Sequence, residues 1–144
     1  MSKQYDFVAL AGRILIGVVF LMSGTGKLVA PAATIAYIAH ANVPVPVGAY
    51  AVSLAVEVVG AILIIVGFQS RLVAAGMAVF TLAAAAFFHN HWADRNQFTH
   101  FMKNMSMMGG MLQIVAFGGG KYALDRVLER RSGASAEAIL QPAR

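Results

Sequence analysis

One carboxylate stands near the middle of an apolar run. It is Glu57, in VGAYAVSLAVEVVGAILIIVG, residues 47–67. The run is about as long as a bilayer-crossing helix, which takes roughly 20 residues. A charge at that depth costs about 3 kcal/mol on insertion scales unless a partner offsets it. Three cations lie in or beside other apolar runs: Arg13, Lys27 and Lys103. A carboxylate and a cation in a greasy interior form either a structural ion pair that fixes helix register or a site that accepts a proton and holds a ligand oxygen. The second reading makes Glu57 the catalytic residue, its proton affinity tuned by burial and a cation. Arg13 is the expected structural partner, since it lies about five residues, or roughly 7 Å, from the middle of its own run.

The substrate-binding candidates around Glu57 are Arg13, Lys27, Tyr50, His89, Lys103 and Asn104. Lys27 and Lys103 fall at helix ends on the same side. They either snorkel to the interface or share a site for a ligand oxygen. His89 and Asn104 are candidates for an interhelical hydrogen bond as well as for ligand contact. Tyr50 shares the helical face of Glu57. His89, His91 and His100 raise the question of haem or metal. Acidic residues are scarce near them and no C-x-x-C-H signal occurs, so neither is expected. Five methionines between 102 and 111 supply adaptable packing around an apolar ligand or a partner helix.

The elements that must hold these residues are helices. Of 144 residues, 59% are hydrophobic and 12% charged, against about 25% charged in soluble domains. With no cysteine, disulfides, thiolate metal sites and dithiol chemistry are excluded. The net charge of +5 fits an anionic membrane surface rather than nucleic acid. Apolar runs at 7–29, 47–67, 72–92 and 100–117 predict four transmembrane helices. The first is read as an uncleaved span, because Arg13 would interrupt a signal peptide's apolar region. On it Arg13, Gly17, Phe20, Gly24 and Lys27 share one face, as do Ser53, Glu57, Gly60 and Ala61 on the second. Ala74, Ala78, Thr81 and Ala85 form a small-residue ridge on the third. Pro31 opens a short interfacial helix ending near Ala41, and NVPVPVG breaks the chain before the second span.

The basic residues set the orientation. Lys3, Arg71 and KYALDRVLERR fall on one side, which places both termini in the cytoplasm. Residues 1–6 are a cytoplasmic start, 7–125 the membrane domain, and 126–144 a basic juxtamembrane segment with a flexible tail.

The pattern R-I-L-I-G-x-x-F-x-x-S-G-x-x-K-L at 13–28 resembles the first helix of DoxX-like membrane proteins. V-E-x-x-G at 56–60 with G-x-x-x-R at 67–71, FFHNHW around His89, KNMSMMGGML around Asn104, and GGGKYALD at 118–125 resemble the family's later motifs. The resemblance implies a four-helix integral membrane fold in a bacterial inner membrane. It also implies a link to membrane oxidoreductases that act on sulfur compounds or in oxidative stress and pass electrons to quinone.

Three readings of function follow. The first is a subunit that binds quinone or another lipid-soluble substrate, with soluble or membrane oxidoreductase partners. The second is a non-enzymatic scaffold whose buried charges specify packing and whose basic segment recruits partners. The third is a small transporter, which with four helices would need a homo-oligomer.

Overall fold

The computed structural model describes residues 3–130, and every regular element among them is a helix. Helix α1 (Lys3–Val29) leads directly into the short α2 (Pro31–His40). Helix α3 (Pro46–Val66) carries a π-helical segment at Ala55–Gly60. Helices α4 (Ser70–Phe88) and α5 (Arg95–Phe117) follow, and residues 124–130 are again helical.

Local chemistry sets these boundaries. Pro31 and Pro46 open α2 and α3, where the missing N–H is no loss and the fixed φ already suits a helix. Between α3 and α4 the chain turns through two left-handed residues, Gly67 at φ 76° and Gln69 at φ 48°. The first amides of α4 then find an acceptor far away in sequence: Gln69 and Ser70 N–H donate to the two carboxylate oxygens of Asp125 at 2.6 and 2.8 Å. Asp94 caps α5 in the ordinary way, accepting from the amides of Asn96 and Gln97. Gly118, at φ 79°, closes α5.

Several bounds differ from the sequence reading. The helix read as 72–92 is Ser70–Phe88 and stops four residues before Trp92. The span read as 100–117 is helical from Arg95, because the Asp94 cap starts α5 there. Helix α1 begins at Lys3, within the segment taken as a polar start. The tail after residue 130 lies outside the described residues.

Helices α1, α3 and α4 are each long and apolar enough to cross a membrane. Helix α5, at 23 residues, has the length, about 34 Å at 1.5 Å per residue, but a more polar composition. It lies along α4, while α1 lies along α3. One core joins all four: Phe20 from α1, Ala61 and Ile64 from α3, Ala74, Met77 and Ala78 from α4, and Met111 and Ile114 from α5. Arg13, Gly17, Phe20 and Gly24 are all buried, and so is the whole small-residue ridge of α4. Leu15, Met22 and Val79 face outward, as side chains covered by acyl chains must.

Candidate functional site

The centre of the site is an ion pair between α1 and α3. Lys27 Nζ donates to both oxygens of Glu57, at 2.6 and 2.8 Å, and to Ser23 Oγ at 2.9 Å. All three ammonium protons are thereby used. Glu57 is 5% exposed, so a carboxylate that would be costly alone is matched by a charge-assisted, two-point contact.

Backbone features bring the two groups together. A Cβ on Gly24 would stand 2.7 Å from Val58 Cγ2 and 3.1 Å from Glu57 Cβ, so only glycine lets α1 approach α3 this closely. Lys27 comes one turn later on the same face. Glu57 lies inside the π-helical segment, a wide-turn geometry that is rare and concentrates at functional sites. The Tyr50 hydroxyl donates to the backbone carbonyl of Lys27 at 3.3 Å, tying the start of α3 to the end of α1.

The pair opens onto a cavity of about 420 Å³. Its walls are mostly apolar, with Phe20, Val52, Phe80 and Met107 among them, and its polar groups include Ser23, Lys27, Glu57, His89 and Asn104. Helix α2 lies across one side through Thr34, Tyr37 and Ile38. The Tyr37 ring stacks on Phe88 with centroids 5.2 Å apart. The volume falls within the range of small-molecule sites, about 300–1,000 Å³.

The other candidates named from the sequence go to different places. Arg13 is not beside Glu57. It is 1% exposed, and its Nη1 donates to the carbonyls of Ile64 and Ile65 at 3.2 and 2.6 Å. These carbonyls belong to the last turn of α3, which has no helical donors left for them. The antiparallel register decides the outcome: Gly24 of α1 meets Glu57 and Gly17 meets Ala61 and Ile65, so Arg13 falls a further turn along, past the carboxylate. His89 Nδ1 lies 3.0 Å from Gln97 Oε1, and its ring stacks on His100 at 5.0 Å. Its hydrogen-bond partner is therefore Gln97 rather than Asn104. Lys103 is exposed on α5 and is not among the cavity walls.

Ser23 and Tyr37 were missed in the sequence. Ser23 is one turn before Lys27, so the periodicity that selected Gly24 and Lys27 could have found it. Tyr37 had no such signal, because nothing in α2 tells which way it folds over the bundle.

At the other end of the bundle, burial alone would raise the Asp125 carboxyl. The amides of Ser70 and Gln69 and the charge of Arg13 outweigh this and hold it below the usual carboxylate range.

The family model described as DoxX matches residues 8–90. The chain belongs to the DoxX family. The matched span runs from α1 through α4 and contains Arg13, Lys27, Tyr50, Glu57 and His89; Lys103 and Asn104 lie beyond it. This DoxX chain is 34% identical over 133 residues to inner membrane protein YqjF of Escherichia coli (strain K12), covering 91% of this chain and 99% of that protein. It is 32% identical over 135 residues to inner membrane protein YphA of the same organism, covering 86% and 96%. No solved structure matches it. Its relatives' location and its three apolar spans make this DoxX member a multi-pass membrane protein.

Proposed function

We propose that the protein binds a quinone, or another lipid-soluble molecule with a polar ring, in the cavity beside Lys27 and Glu57. In this reading it serves as a subunit of an inner-membrane oxidoreductase of the sulfur-oxidising or oxidative-stress type. The observation that carries the reading is one largely buried ion pair facing a cavity walled mostly by apolar side chains. A redox group on a partner subunit, to which the electron chemistry belongs rather than to these side chains, passes two electrons to the quinone. Lys27 holds the ring oxygen on which charge develops, and two protons from solvent, one of them relayed through the Glu57 carboxylate, complete the quinol. Helix α5 is the fourth crossing, α2 lies at the outer interface, and both ends of the chain face the cytoplasm. The support for this orientation is charge: Arg71, Lys121, Arg126 and Arg130 gather at one end of the bundle.

The test is to purify the protein in mild detergent, extract it and weigh what comes off. The expected result is a quinone at near-equal stoichiometry, exchangeable with decylubiquinone, and lost in Glu57→Gln while the bundle stays folded. Wild-type protein that carries no quinone and takes up no decylubiquinone refutes the reading.

A scaffold role is favoured by one observation. Lys27 and Arg13 both end on α3, on a side-chain carboxylate and on backbone carbonyls, as devices that fix packing would. On that reading Glu57→Gln lowers thermal stability and nothing else.

A further inference from the structure

A second and larger cavity, about 1150 Å³, lies where the α3–α4 turn, the end of α5 and residues 118–130 meet. It does not involve Lys27 or Glu57. Four cations line it: Arg71, Lys121, Arg126 and Arg130. Of its three acids, Asp125 is committed to the amides of Gln69 and Ser70, and Glu129 to Arg126 at 2.9 Å. Asp6 is buried. Among the described residues, Arg71, Lys121 and Arg130 have no carboxylate partner.

The backbone adds donors. The Arg71 guanidinium is laid against the glycine loop: a Cβ on Gly118 would be 3.5 Å from its Nε and 3.8 Å from its Nη2. Among the described residues, no acceptor takes the amide N–H of Gly119, Gly120 or Lys121. Beside this basic floor the same cavity is walled by Phe68, Leu72 and Phe117. Leu72 is 71% exposed and Phe117 77%. The α3–α4 turn joins two apolar spans, so this rim sits at the membrane boundary.

We propose that the cavity is a binding site for the headgroup of an anionic phospholipid. Arg71, Lys121 and Arg130 take the phosphate, and the acyl chains run down over Leu72 and Phe117. A small soluble anion would use the cations but leave the apolar rim idle. A zwitterionic lipid would use the rim but bring its own cation to the floor. Only a molecule anionic at one end and apolar at the other matches both halves of the surface.

Native mass spectrometry of detergent-solubilised protein with added phosphatidylglycerol or phosphatidylcholine tests this. Wild-type protein is expected to retain phosphatidylglycerol in preference to phosphatidylcholine. Arg71→Gln and Lys121→Gln are each expected to weaken that retention about fivefold. Both side chains are exposed, so the fold should survive; thermal unfolding of each variant checks it. Arg95→Gln, at the opposite end of the bundle, is expected to leave retention unchanged. The proposal is overturned by equal retention of the two lipids, by Arg95→Gln acting as strongly as Arg71→Gln, or by millimolar glycerol 3-phosphate displacing phosphatidylglycerol.

Discussion

Gly24 stands directly against Glu57, with room for a Cβ only at 3.1 Å from the glutamate's own Cβ. This contact sets how near α1 comes to α3, and therefore whether Lys27, one turn on, can reach the carboxylate. Gly24→Ala is expected to force the helices apart and to destabilise the fold by about 1–3 kcal/mol, the usual cost of overpacking. Gly26, with nothing near its Cβ position, is the control. Gly26→Ala is expected to be neutral or to stabilise by up to about 1 kcal/mol through helix propensity. Thermal unfolding in detergent separates the two.

Removing one member of the ion pair leaves the other buried and unmatched. Lys27→Gln and Glu57→Gln alone are expected to cost a few kcal/mol each, up to about 3–5 for a fully buried pair. Lys27 keeps some solvent contact, so the lower end applies. The double variant is expected to recover much of the loss. A double-mutant cycle with no coupling between the two positions would show that the contact contributes nothing to stability.

Arg13 closes the last turn of α3 with one nitrogen, Nη1, which serves both carbonyls. Arg13→Lys is expected to lower stability, because the lysine side chain is one bond shorter and its ammonium falls short of the Ile64 and Ile65 carbonyls. Gly67→Ala is expected to act in the same place. Its φ of 76° disfavours a side chain, and the added carbon would press on Arg13 Nη1 at 2.5 Å and on Ala123. A drop of at least about 1 kcal/mol is expected from the backbone conformation alone. Unfolding midpoints of both variants measure this.

Asp125 makes stability depend on pH at the end of the bundle where α3 turns into α4. Its carboxyl is lowered in the fold, so the folded chain gives up that proton more readily than the unfolded one. The resulting stabilisation is fully present above the unfolded value, about 3.9, and is lost as pH falls through the lower folded value. Asp125→Asn is expected to lower the midpoint at neutral pH and to flatten its fall in acid. Unfolding scans from pH 7 down to about pH 2 check both.

Much of this was legible in the residues. Small and charged groups at steps of three and four predicted the buried face of α1, and the alanine–threonine ridge marked a close-contact face of α4 without saying whether its partner was internal or a second copy. Glu57 stood out because one acid in an apolar run has few uses. What the residues did not hold was register. Periodicity says which face a side chain is on, not which level of the neighbouring helix it meets, so the expectation of Arg13 as the partner of Glu57 gave way to Lys27. The Asp125 cap was hidden for a similar reason: its partners are 55 and 56 residues away. The starting point of α5 was readable in principle from Asp94, but the polar residues after it masked the helix.

Both cations of α1 depend on groups in α3, and this bears on how the chain is made. Lys27 waits through 30 further residues for its carboxylate, and Arg13 through 51 for its carbonyls. Helix α1 is therefore made before either of its cations has a partner. Its release into lipid alone carries a cost, so α1 and α3 are expected to enter the bilayer together.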